Sequence, residues 1–373
     1  MGRVIEISPS PLDAEMGTTE PYVVPELPWE VQVSPDAAVL NALSNASRAI
    51  GRLEGQWRSW LPSTYGLCAL ASIEAWSCVL AEGETLTWGA FAKTFSTSAT
   101  PYGRPTNSAS TATCLLGFHL GLQGYAAAGR HPIGAIRNEF LDLVGLPPRL
   151  RSDFDAGLPD WLAAGPVGSG ILRAILAMMS VAASCPDSPS VAMAARASFP
   201  WMLSAAYGAD VLVPISVGFV DYRDDWKKVA RALAGPNPCD PVEVNEALVA
   251  ALRAVERAAV TATFELEQQH YRERRVLTTV QREFLELARP SARFVARVIA
   301  ALGSVSRKQL VQLTGFTTRT INASVRALQA HGLIAVDGRV RGVGDYVVVA
   351  KQRWVPMISA ASHHPSVSGG HDG

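Results

Sequence analysis

Three side chains near the carboxyl end have types and spacing suited to reading polyanionic or base-edge chemistry. Arg319, Asn322 and Arg326 recur at three- and four-residue intervals, so on a helix they share one face. A guanidinium can bond guanine at two points, and a carboxamide can do the same to adenine. Thr317, Thr318 and Thr320 surround the start of that segment and add short hydroxyl donors. Arg307 and Lys308 open the segment before it, and Arg339 and Arg341 follow in a glycine-bearing stretch. Together these ten residues, Arg307, Lys308, Thr317, Thr318, Arg319, Thr320, Asn322, Arg326, Arg339 and Arg341, form the candidate site. Double-stranded DNA is the partner that such a set implies.

Charge distribution points the same way. Between Tyr271 and Arg353 there are fifteen Lys or Arg against five acids, a net of +10. The whole chain of 373 residues balances at 33 basic against 33 acidic, so the remainder is acidic by the same amount. Neutrality overall hides a basic end, and phosphate binding requires only a local patch.

Positioning these residues requires a compact set of elements. Phe294, Val295, Val298, Ile299 and Leu302 recur at helical spacing after Ser291 and stop at Gly303. Ser306-Arg307-Lys308-Gln309 is a capping box that starts a second, short helix with Leu310 and Leu313 inward. Thr314-Gly315-Phe316-Thr317 then supplies a turn, with Phe316 plugging the core and Thr317 capping a third helix. Ile321, Val325 and Leu328 are its buried stripe, and His331-Gly332 ends it. Leu333 to Val336 reads as extended, Asp337-Gly338 as a tight turn, and Tyr346 to Val349 as the returning strand. Three helices followed by a hairpin are the layout of a winged helix-turn-helix, with Arg339 and Arg341 at the wing tip.

The rest of the chain predicts a mainly α fold, a helical-bundle body carrying that carboxyl-terminal module with its small β-hairpin wing. Residues 1–35 are proline-rich and read as an extended arm. A helical region follows over 36–145, with Asp36 capping a helix through Val39, Leu40, Leu43, Ala46, Ile50 and Leu53 that stops at Gly55. Further helices are expected over about 67–80, through Trp88 and Phe91, and over about 109–128. Residues 146–170 are a connector between proline clusters. The segment 171–277 is helical again, apart from an extended piece from Val211 to Phe219, and Asp224-Asp225 reads as a helix start. Its strongest element is a long helix over 241–276 with Asp240 as cap and Pro241 in the first position. The apolar seam of that helix could pack within the chain or pair two copies as a homodimer. The winged module spans 278–353, and 354–373 is a flexible tail.

Other chemistries lack their residues. There is no glycine-rich phosphate loop with its Lys, no nucleophile elbow and no zinc-binding His-Glu pair. Five cysteines, at 68, 78, 114, 185 and 239, are scattered without metal-ligand spacing and read as small buried hydrophobes of a reducing cytoplasm. His119, His131, His270 and His331 are isolated. No cofactor or metal is expected, nor a membrane partner, because no apolar run reaches the roughly 20 residues a span needs.

The order of Leu43 to Gly55, then Ser72-Ile73-Glu74-Ala75-Trp76 to Glu82-Gly83-Glu84-Thr85, then the terminal module resembles Fic-type proteins with an amino-terminal helical domain. It is more similar still to an alphaproteobacterial family of a domain of unknown function followed by a helix-turn-helix. That resemblance implies a helical body with a DNA-binding end. Fic enzymes use a His-Pro-Phe motif and a Gly-Asn-Gly-Arg turn. Here the His-Pro pair His131-Pro132 leads into Ile133-Gly134, and no Gly-Asn-Gly-Arg occurs. Without the phosphate-cradling turn a general base has nothing to act on, so catalysis is not expected. The reading is a cytoplasmic, sequence-specific transcriptional regulator. The alternative is a Fic-like nucleotidyltransferase, or a dead derivative of one serving as a protein-interaction module.

Overall fold

The computed structural model describes residues 34–59, 64–97, 107–127, 161–162, 170–183, 186–209, 211–234, 240–283, 291–292, 295–296, 298–299, 304–340 and 345–350. Helix accounts for 81% of them, which makes the fold mainly α. The arm over 1–33, nearly all of the connector over 146–170, His131-Pro132, Arg341 and the tail lie outside the described residues.

Contacts divide the chain into two compact units, each drawn from separated segments. The first comprises residues 1–55, 81–83 and 121–260, and the second 56–80, 84–120 and 261–373.

In chain order the helices of the body are α1 (Ala37–Ser59), α2 (Thr64–Ala81), α3 (Trp88–Thr97), α4 (Ser108–Ala127), α5 (Gly170–Ala183), α6 (Pro189–Tyr207), α7 (Arg223–Arg231) and α8 (Pro241–Glu283). Asp36 starts α1, its carboxylate accepting from the Val39 amide at 2.8 Å. Val39, Ala46, Ile50 and Leu53 are buried as their spacing predicts, but Leu40 is 54% exposed. Its neighbour Val39 occupies the inward position, and consecutive residues on a helix point about 100° apart. The helix also runs past Gly55, which lacks the positive φ of a helix stop, and continues to bury Trp57.

Within the first unit α5 and α6 pack together, and α7 lies against α5. Ser188 caps α6 ahead of Pro189, and Gly208 closes it. The expected extended run from Val211 to Phe219 is corrected: Ile215–Phe219 form a 3-10 turn. Pro214 restricts the backbone just before that turn, but its own fixed φ is as compatible with a helical start as with a strand. Asp224 and Asp225 stand in the first turn of α7, where carboxylates complement the helix dipole.

Asp240 caps α8 by accepting from the Val242 amide at 2.9 Å. The helix extends beyond the expected end at Val276 to Glu283. No Gly or Pro interrupts residues 242–289, so nothing local stops it at the arginines. Among the described residues, no helix is long and apolar enough to cross a membrane.

The second unit contains an aromatic cluster at the turn between α2 and α3. Trp76 donates its indole N–H to the Leu86 carbonyl at 2.8 Å, and Trp76 and Trp88 meet edge-on at 5.5 Å between centroids. Trp88 in turn meets Phe91 at 5.3 Å.

The end of the chain carries β1 (Ser304–Ser306), α9 (Arg307–Thr314), α10 (Thr318–Ala330), β2 (Ile334–Val340) and β3 (Asp345–Ala350). Described residues between 291 and 299 are helical, and Ala292, Val295, Val298 and Ile299 are buried at helical spacing. The three strands form one antiparallel sheet in the order β1-β3-β2. Strand β1 was not anticipated from the sequence. It pairs Ser304 with Val349 and Ser306 with Val347, partners too far along the chain for local pattern to reveal. Helix α3 lies alongside this strand.

Asp337-Gly338 is not the hairpin turn. Strand β2 continues to Val340, and the register shifts between Asp337, opposite Val347, and Arg339, opposite Tyr346. Gly338 is therefore the extra residue of a β-bulge, a place where glycine's small size suits the locally bent strand. The hairpin connection falls in 341–344, outside the described residues.

Candidate nucleic-acid interface

Helix α9 is set by reciprocal side-chain hydrogen bonds. The Gln309 amide donates to Ser306 Oγ at 3.2 Å, and the Ser306 amide donates to Gln309 Oε1 at 2.9 Å. Both residues are buried, so this capping box satisfies donors that would otherwise be desolvated without acceptors. Gly315 closes the helix at φ 68°, its amide reaching the Val311 carbonyl at 3.0 Å. Leu310 is fully buried, whereas Phe316, expected to plug the core, is only half-buried.

Thr317 then caps α10. Its hydroxyl accepts from the Thr320 amide at 3.3 Å and lies 3.0 Å from the Thr320 hydroxyl. At the far end His331 is the cap, Gly332 has φ 70°, and the amides of Gly332 and Leu333 reach back to the carbonyls of Gln329 at 2.9 Å and Leu328 at 3.0 Å. That pair of bonds is a Schellman motif, which needs a left-handed residue at the Gly332 position. The helix is thus fixed at both ends by bonds within a few residues of each terminus.

Ile321, Ser324, Val325 and Leu328 form the buried side of α10. Arg319, Ala323, Arg326 and Ala330 are exposed. At the helical repeat these four fall within roughly 60° of one another, about 180° from the centre of the buried stripe. Asn322 flanks them and is half-buried.

Thr317 and Thr318 are exposed at the start of α10, with Thr320 half-buried, and Arg319 and Arg326 share the outer face. Arg307 and Lys308 occupy the first two positions of α9, half-buried and exposed respectively. Arg339 lies in β2 beside the bulge, its side chain outside the described set, and Arg341 is outside it altogether. The structure therefore brings Arg319 and Arg326 together on one surface, places Arg339 in strand β2 opposite Tyr346 and not at the expected wing tip, and leaves Arg341 outside the described residues.

The first unit holds charged residues that the sequence did not single out. Arg196 of α6 is fully buried, bonds Glu82 and stacks over the Trp226 ring at 4.5 Å. Arg257 of α8 donates to the Gly218 carbonyl at 3.0 Å and to Asp225 at 3.2 Å, and covers the Tyr222 ring at 3.7 Å. Arg-to-aromatic stacking had no local signal, because its partners are dispersed along the chain. In the second unit His119 is fully buried, and desolvation holds its pKa down to about 3, so it is a neutral core histidine at physiological pH. Cys78 and Cys114 are buried and unbridged, as expected of small hydrophobes. The other three cysteines lie outside the described side chains. Among the described residues no cluster of His, Cys, Asp or Glu could hold a metal ion.

No protein-family model matches the chain, and no curated protein matches it.

Proposed function

We infer that the chain is a sequence-specific double-stranded-DNA-binding transcriptional regulator whose carboxyl-terminal module is a winged helix-turn-helix. In this reading α10 is the recognition helix and the β2–β3 hairpin is the wing. The observation that carries it is the outer face of α10: two exposed arginines lie opposite the buried stripe of a helix capped at both ends. The order helix, strand, helix, helix, hairpin, with the first strand bonded to the last, agrees with that fold. Residues at the start of a recognition helix reach base edges, while arginines on the wing and on α9 meet phosphates. A net of +10 over Tyr271 to Arg353 supplies the attraction that every DNA reader needs.

Titration of fluorescent duplexes with the full chain at several salt concentrations tests this. Affinity is expected to fall linearly on a logarithmic scale as salt rises, and to fall further in Arg319→Ala and Arg326→Ala. Salt-insensitive or undetectable binding by folded protein would overturn the reading. The apolar seam of α8, Leu248, Leu252, Val255, Ala259, Ala262 and Leu266, is buried within the chain itself, so a dimer suited to a two-fold operator would pair through another surface, and sedimentation of the free protein tests for one.

A further inference from the structure

Resting on the DNA reading, we propose that the outer face of α10 selects a major-groove site containing two guanines about three base pairs apart, one read by Arg319 and one by Arg326. Three observations carry this. Both arginines are exposed on one side of a single helix. Helix α10, TRTINASVRALQA, has no acidic residue, and among the described residues neither guanidinium is engaged in an ion pair or hydrogen bond. Surface helices that merely solvate themselves mix signs so that neighbours one turn apart neutralise each other, and α10 does not. Between the two arginines on that face stands Ala323, also exposed. A methyl group there lets the helix axis approach the base edges, where a longer side chain would hold it off.

Spacing fixes the site. Seven residues of helix advance about 10 Å. Successive base pairs rise about 3.4 Å, so this spans roughly three steps. Guanine O6 and N7 are the acceptors that a planar guanidinium fork matches, and a lysine ammonium, with one point charge, matches them less well.

The full-length protein selects from a random duplex pool, and the enriched duplex is then probed by N7-methylguanine interference with N3-methyladenine as a minor-groove control. Two guanines about three steps apart are expected, with methylation of either N7 blocking binding. Arg319→Lys is expected to erase the preference at one guanine and Arg326→Lys at the other, each by about 5- to 150-fold. Both variants should keep the helical circular-dichroism signal, which separates a lost base preference from a lost fold. Enriched sites without the guanine pair, or interference confined to adenine N3, would overturn the proposal while leaving DNA binding intact. Absence of any salt-sensitive duplex binding would instead remove the DNA reading and this proposal with it.

Discussion

At the scale of single residues, the interior of each unit holds charge or a titratable group whose partners decide stability. Arg196 is fully buried and Glu82 supplies its carboxylate, 114 positions away in the chain. Removing one member of a buried pair leaves the other desolvated, so Glu82→Ala is expected to lower unfolding stability by about 3 kcal/mol, read from urea denaturation. A loss below about 1 kcal/mol would mean that contacts other than Glu82, the Trp226 ring among them, carry the guanidinium. His119 gives a pH dependence. Its folded pKa of about 3 lies below the ordinary 6.5, so the unfolded chain binds the proton more readily between those values. The burial is harmless above about pH 6.5 and increasingly costly below it. Acidification from pH 7 to 5 should remove about 2 kcal/mol through this group. His119→Gln should flatten that part of the stability profile by about one proton, and an unchanged slope would assign the pH dependence elsewhere.

At the scale of elements, helix ends were the most legible feature of the sequence. Asp36, Asp240, Ser306 and Thr317 all accept from the amides their positions predict, because a cap is decided by three or four consecutive residues. Thr317→Ala is expected to destabilise the second unit by about 1 kcal/mol. Gly332→Ala, which forces a side chain into the left-handed region, should add a further 1 kcal/mol or so. Thermal unfolding monitored by circular dichroism checks both. Gly218 tests packing instead of conformation: a methyl there would meet the Ala254 carbonyl oxygen of α8 at 2.2 Å. Since backbone cannot step aside as a flexible side chain can, Gly218→Ala is expected to cost about 1–3 kcal/mol. Wild-type stability in that variant would show that the 3-10 turn and α8 separate freely. The strand β1 and the bulge at Gly338 escaped the sequence reading for a related reason. An isolated three-residue strand has too few alternations to register, and a glycine after an aspartate fits a turn and a bulge equally well until a partner strand is present.

At the scale of the whole molecule, each unit is assembled from segments distant in sequence. The second unit joins residues 56–80 and 84–120 to everything after 260, and Gln56 bonds Glu267 at 2.8 Å across 211 positions. A chain ending at Val260 is therefore expected to leave residues 56–120 without their partner segment, giving early cleavage there in limited proteolysis and binding of a hydrophobic dye. Protection equal to that of the full chain would instead make the carboxyl-terminal module a separable domain. Net charge acts at this scale too. The balance of 33 against 33 keeps long-range attraction to DNA weak. In the proposed DNA-binding reading, raising salt should accordingly slow and weaken binding through the local patch.

The sequence by itself determined where most helices begin, that the fold is mainly α, and that Arg319 and Arg326 would share the face opposite Ile321, Val325 and Leu328. These follow from hydrogen bonds and side-chain directions set within one or two helical turns. Only the tertiary structure decided that Leu40 faces outward, that Ile215–Phe219 coil into a 3-10 turn, that β1 joins β3, and that Arg196 finds Glu82 and Trp226. Each of those depends on which distant segment arrives alongside, and burial or pairing with such a segment outweighs the few tenths of a kcal/mol by which local propensities differ.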